Sequence, residues 1–234
     1  MRFTVHPDVF ARFSGMRIAV AVMDGLDNAT PRPPVEAAWR ETCTLAASQA
    51  APYGNAQSHP RVKPWRERFQ AMGVSGKEFP SSIEALLRRT LKGGDPFTIN
   101  PLVDWYNTLS LRHTVPAGAF DLDQLHGPVA LRPTEDGDTF LALGADLSVA
   151  VPAGEIAYAD GHTILTRHFV WRQSRAGLIA HDTTHVLLVS EVLGEVGGAV
   201  ADTMLADFIT GANDYFGIAA HGMVLDAQQP VFAW

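Results

Sequence analysis

The chain has one cysteine, Cys43, in 234 residues. A disulfide within the chain and a cysteine-rich metal site are thereby excluded, and a reducing, cytoplasmic setting is the expectation. No apolar run approaches the roughly 20 residues a bilayer-spanning helix needs, so no membrane role is expected. The N-terminal MRFTVHPDVF lacks the apolar core of a signal peptide. Positive charge is scarce: 18 Lys and Arg stand against 25 Asp and Glu, a net charge of −7. That balance argues against DNA and against general nucleic-acid binding, though not against a local basic patch. G-x-S-x-G, Walker and G-x-G-x-x-G motifs are missing, as are internal repeats and low-complexity tracts. GEVGGAV (194–200) is glycine-rich without the right spacing, and its Gly197-Gly198 is expected to open a helix.

What is present is a 47% hydrophobic chain with fifteen prolines and twenty glycines. It can bury a sizeable core in one large domain or two closely packed lobes. The many turns point to an α/β (α+β) protein of mixed β-sheets flanked by helices. MRIAVAVMDGLDN (16–28) has the pattern of a buried strand closed by a turn. Helices are expected over 33–49, 59–73 and 81–94. The third carries a Ser81/Glu84 capping box and closing glycines. Asn100 and Pro101 have the signature of an N-cap and first turn for the next helix. Strands dominate 127–194, a long amphipathic helix fills 199–217, and HGMVLD supplies a last strand. Two interleaved halves sharing a central cleft are expected.

The helix after Asn100 carries a polar stripe. Asn100, Asp104 and Asn107 fall at i, i+4 and i+7, which share one helical face. Around them stand Leu102, Val103, Trp105, Tyr106 and Leu109. A buried amide or carboxylate without partners costs roughly 1–3 kcal/mol. Either the three cap the helix and tie down loops, or they line a cleft and bind a ligand.

The histidines offer little metal chemistry. In HDTTH, His181 and His185 are four apart, but the sequence after them has strand character. In a strand that spacing separates them by about 13 Å, too far for one ion. His162 and His168 meet the same objection. His113 directly follows the polar helix, where a structural role is the plainer one. Cys43 in an Ala-rich helix, and Ser190 in a buried strand, have the character of core residues. Basic residues cluster between 61 and 92: Arg61, Lys63, Arg66, Arg68, Lys77, Arg88, Arg89 and Lys92. With Trp65 and Phe69 interleaved they could face a phosphate backbone. On spacing alone a solvated helix face is the simpler interpretation.

The order of motifs then resembles a known family. LVDWYNTLSLRHTVPAGAFDLDQLHGPVALRPTEDGDTFLALG is similar to the B3/B4 editing module of the bacterial phenylalanyl-tRNA synthetase beta chain. The matching residues are Val103, Asp104 and Asn107; Pro116, Ala119, Phe120 and Asp121; Gly127, Val129 and Arg132; and Gly137, Asp138 and Leu143. IAYADGHTIL and DTTHVLLVSEVLG resemble the strands that follow. The resemblance spans about residues 59–217, leaving 1–58 as a strand/helix extension within a single 1–234 domain. A synthetase core could not fit in this length.

The resemblance implies that fold, and a freestanding deacylase that hydrolyses the ester of a mischarged aminoacyl-tRNA in trans. It implies no metal and no cofactor, a tRNA partner, and a monomer is the favoured state. Asp104, Asn107 and Thr184 become catalytic candidates for placing the amino acid or water. Asn100, His113, Trp171, Gln173, Asp182 and Glu191 become candidates for substrate binding. The family's selectivity loop carries a Gly-Gly-Glu. The corresponding WRQSRAG (171–177) has no glutamate, so an amino acid other than tyrosine is expected. Freestanding relatives include a deacylase of canavanyl-tRNA(Arg), and Asp104, Asp182 and Glu191 could hold such a guanidinium-like side chain. Arg61, Lys63, Arg66, Arg88, Arg89 and Lys92 become the expected tRNA-facing surface. A non-hydrolytic binding module and a small-molecule hydrolase are the competing expectations. Asp104→Asn is expected to lower activity more than stability.

Overall fold

The computed structural model describes residues 1–234 as a mixed α/β fold whose two sheets are flanked by helices. In chain order the elements are β1 (Arg2–Val5), α1 (Pro7–Arg12), β2 (Arg17–Asp24), α2 (Pro33–Ala50), α3 (Lys63–Ala71), α4 (Ser82–Leu91) and α5 (Pro101–His113). There follow β3 (Gly118–Asp121), β4 (Val129–Pro133), β5 (Thr139–Phe140), β6 (Val149–Ala150), β7 (Ile156–Asp160), β8 (Thr163–Arg167) and β9 (Arg172–Gln173). The chain ends with β10 (His185–Val192), α6 (Gly198–Phe216), β11 (Ala220–Leu225) and β12 (Val231–Ala233). The larger sheet has the order β12-β1-β4-β7-β8-β5-β6, with β9 paired to β8. The smaller has the order β11-β2-β10-β3.

The helices start where local chemistry directs. Ser81 accepts the Glu84 N–H and Asn100 accepts the Val103 N–H, each relieving an orphan donor of a first turn. Pro101 occupies the first helical position of α5 and Gly197 precedes α6. α5 stops at Thr114, whose backbone is left-handed.

β2 explains why the apolar run from residue 17 alternates nothing. Its odd and even residues enter different cores. Ile18, Val20 and Val22 pack with Phe3, Leu131, Tyr158, Leu187 and Val189 between the two sheets. Ala19, Ala21 and Met23 pack with Trp105, Leu109, Met204 and Phe208 of α5 and α6. A strand buried on both faces has no polar side to show. Small residues let α6 close on the smaller sheet and on α5. A Cβ on Gly222 would stand 2.0 Å from the Val20 carbonyl oxygen, and one on Gly211 would stand 2.6 Å from the Trp105 ring.

Two expectations change. Residues 1–58 are not an extension: β2 lies between β11 and β10, and β1 lies between β12 and β4. HGMVLD is not the last strand, because Val231–Ala233 returns to pair antiparallel with β1. VFA is too short to announce itself, and a partner at the opposite end of the chain cannot be read locally.

Candidate functional site

The two sheets and α5 leave a cavity of about 220 Å³ between them. Tyr106 and Asn107 reach it from α5, Gly118 to Phe120 from β3, Tyr158 from β7 and Thr166 from β8. Trp171 and Gln173 form another wall, and Val189 and Glu191 project from β10. The aromatic walls suit an apolar stem, and the carboxamides and carboxylate offer polar contacts.

Each polar group has a distinct setting. Asn107 is half-buried and makes no side-chain hydrogen bond, so both ends of its carboxamide are free for a ligand. Gln173, which lines the cavity, donates to the carbonyls of Ala119 (3.0 Å) and Gly177 (3.2 Å), which fixes its amide, and its side-chain oxygen accepts no hydrogen bond from the chain. Glu191 is buried and accepts the Tyr158 hydroxyl. No Lys, Arg or His pairs with it. Burial pushes its carboxyl up to about 7, against the lowering effect of the Tyr158 hydrogen bond. Burial also raises both tyrosines of the cavity, Tyr106 and Tyr158.

The backbone aims these groups. The β7–β8 pairing shifts register between Tyr158 and Ala159, and such a bulge redirects the side chain beside it. At the end of β8, His168 and Phe169 have φ of 43° and 35°, left-handed values that side chains seldom adopt. Glu155 holds this turn: it accepts the His168 N–H at 2.6 Å and pairs with Arg167 at 2.6 Å. The next residues, Val170 and Trp171, then line the cavity.

Of the nine predicted catalytic and binding residues, four meet here: Asn107, Trp171, Gln173 and Glu191. The other five do not. The polar stripe of α5 divides, because Asp104 and Asn107, about 60° apart around the axis and nearly a turn apart along it, meet different neighbours. Asn100 is the cap, and Asp104 accepts the Ile99 N–H at 3.0 Å beside a separate cavity shared with Arg32, Glu36 and His181. Burial raises the Asp104 carboxyl, partly offset by that Ile99 bond. Thr184 is exposed and donates to Asp123, and Asp182 is exposed. His113 lies at the end of α5, 2.7 Å from Asp207.

Several motif residues are scaffold. Arg132 grips Asp138 with two bonds of 2.7 and 2.9 Å. Asp121 accepts the hydroxyl of buried Thr183 at 2.7 Å, tying β3 to the loop before β10. Glu135, Asp138 and His162 come close enough to share an ion, but Arg132 already neutralises Asp138. A larger cavity, about 470 Å³, opens between α2 and α4, and only Arg89 of the predicted residues lines it. Cys43 stands there too, its thiol pushed up to about 11 by burial and so unreactive at neutral pH.

The basic segment is partly consumed by structure. Glu84 is buried, and Arg66 and Arg88 both close on it. Lys63 pairs with Glu67, and Arg61 donates to the His113 carbonyl. Arg89 and Lys92 are exposed without ion pairs. Trp65 and Phe69 are core residues rather than base-stacking platforms, since they fill the faces of α3 that pack on Phe169.

Residues 65–201, more than half the chain, match the model of the B3/4 domain. The chain belongs to the B3/4 domain family. A phenylalanine–tRNA ligase beta subunit of Pectobacterium atrosepticum is 28% identical over 121 residues, covering 52% of this chain. The chain spans only 15% of that relative's length. A fragment of the phenylalanyl-tRNA synthetase beta subunit from Pyrococcus horikoshii aligns with 96% of this chain and 54% of its own, at 11% identity and a TM-score of 0.46. No helix is long and apolar enough to cross a membrane.

Sequence reasoning missed Tyr158, Tyr106, Phe120 and Phe169 in the B3/4 cavity. Each sits in a stretch whose pattern predicts burial, and nothing local distinguishes a core aromatic from one at a cavity wall. The tyrosine–carboxylate bond between β7 and β10 joins different sheets and leaves no sequence spacing to read.

Proposed function

We propose that this protein is a trans-editing deacylase that hydrolyses the ester of a mischarged aminoacyl-tRNA. One observation carries the reading: Asn107, Trp171, Gln173 and Glu191, far apart in sequence, converge on one cavity of amino-acid size within the B3/4 region. A cavity of about 220 Å³ admits an aminoacyl group but not a nucleotide, so the tRNA body would stay outside it. An aminoacyl ester is already activated, and placing water against it in a fixed polar site supplies much of the catalysis. Asn107 and the Gln173 oxygen are the groups available to orient the ammonium or the ester carbonyl.

The relative's name concerns phenylalanine and tRNA, and the editing chemistry for this chain is our inference from the family. The amino acid removed is proposed to bear a polar tip on a stem that fits between aromatic walls, with a canavanyl group on tRNA(Arg) as one such case. Arg89 and Lys92 are the proposed tRNA contacts, Arg66 and Arg88 serving mainly to neutralise Glu84.

Incubation with a panel of correctly and incorrectly charged tRNAs tests the proposal. Release of amino acid from at least one mischarged species, above the rate in buffer, is expected. Binding of aminoacyl-tRNA with the ester left intact across the whole panel would instead establish a non-hydrolytic module. Turnover of free amino-acid esters that is indifferent to the tRNA would establish a small-molecule hydrolase.

A further inference from the structure

The reaction needs a group that accepts a proton from water, and the cavity offers few. Asn107, Gln173, Ser82, Thr166 and Trp171 are not bases. The titratable groups lining it are Tyr106, Tyr158 and Glu191. Both tyrosines keep their protons at neutral pH, as phenols ordinarily do, and burial raises them further. Asp104 faces another cavity and Thr184 faces solvent.

Glu191 is also poised in a way a structural carboxylate would not be. It is 3% exposed yet faces no guanidinium, ammonium or imidazole, whereas buried Glu84 is gripped by two arginines. Its only side-chain hydrogen bond comes from Tyr158, to Oε1. That bond orients the carboxylate of a residue that lines the cavity, where a water can approach it. A buried, uncompensated carboxylate is costly and is retained where it performs a task.

We infer that Glu191 is the general base of the hydrolysis, oriented by the Tyr158 hydroxyl. This rests on the deacylase reading. The Glu191 carboxylate takes a proton from water as the water oxygen attacks the ester carbonyl carbon. The tetrahedral intermediate collapses, the bond from the carbonyl carbon to the ribose oxygen breaks, and the departing oxygen receives the proton from Glu191. The products are a free amino acid and a tRNA with its terminal hydroxyl restored, and Glu191 returns to its starting state. No oxidant, reductant or further reactant is needed. A carboxyl ionising at about 7 is matched to this work, since general bases operate best near the ambient pH.

The test is single-turnover deacylation, from about pH 5.5 to 8.5, of whichever charged tRNA the wild type cleaves fastest, with the buffer rate subtracted. The wild-type rate should rise through an ionisation near neutrality. Glu191→Gln should lower it by roughly 100-fold or more, flatten the pH dependence, and leave aminoacyl-tRNA affinity within about threefold. Tyr158→Phe removes a donor to the carboxylate, so its ionisation should move to higher pH while turnover persists. Wild-type turnover in Glu191→Gln, or a change only in which amino acids are cleaved, overturns the inference and leaves the deacylase reading standing. Should Glu191→Gln not fold, an unmoved pH profile in Tyr158→Phe overturns it equally. A wild type inactive on every charged tRNA brings down the deacylase reading, and this inference with it.

Discussion

The Tyr158 hydroxyl donates to Glu191 Oε1 and so joins the larger sheet to the smaller one across the interior. The bond stabilises the ionised carboxylate, but burial outweighs it and the carboxyl ionises at about 7 rather than 4.5. Between those values the folded chain holds more protons than the unfolded one. Stability therefore falls as pH rises from about 4.5 through 7, and the loss is complete above that range. Glu191→Gln should remove this dependence, gaining on the wild type at pH 8 relative to pH 5 by an amount on the order of 3 kcal/mol. Urea denaturation of both proteins at the two pH values measures it.

Asn107 and Asp104 share a helix but not a task. Asn107→Ala should reduce deacylation by about tenfold or more, with stability changed by less than about 1 kcal/mol, because the side chain is half-exposed and bonds nothing in the chain. Asp104→Asn keeps an acceptor for the Ile99 N–H and discards a charge that burial opposes. It should leave turnover within about twofold and stability within about 1 kcal/mol. The sequence alone suggests the opposite emphasis for Asp104. Parallel kinetics and urea melts of the two variants decide it.

Glu84 holds two guanidiniums while itself almost wholly enclosed. Glu84→Gln should destabilise the protein by about 3–5 kcal/mol, because Arg66 is then left half-buried without its countercharge. Thermal unfolding of the variant against Glu67→Gln, an exposed position, isolates the effect.

Gly211 lets α6 lie against the indole of Trp105. A methyl group there would overlap the ring, so Gly211→Ala should cost about 1–3 kcal/mol despite the better helix propensity of alanine. A rise in melting temperature would refute the close packing.

Arg89 and Lys92 are the unpaired cations at the end of α4. Reversing both to glutamate should weaken tRNA binding and make its salt dependence shallower, by roughly 0.7–0.9 for each phosphate that is no longer neutralised. Lys77→Glu, on a different loop, serves as the comparison. Filter binding at several salt concentrations gives the slope.

Much was decided by sequence. Ser81, Asn100, Pro101 and Gly197 place helix starts because capping is a matter of residues within one turn of each other. The run from Arg17 to Asp24 declares a buried strand because hydrophobicity is a property of each residue, and the ordered motifs from Val103 to Leu143 led to the B3/4 family. Tertiary structure decided the rest. It set Asn107 in the same cavity as Glu191 while leaving Asp104, one turn earlier on the helix, beside another. It committed Arg66 and Arg88 to Glu84. It moved β2 from an apparent extension to the middle of a sheet. These outcomes depend on pairings between strands and helices distant along the chain, and on which face of each is covered. Periodicity predicts that a face is buried, but only packing determines what lies against it.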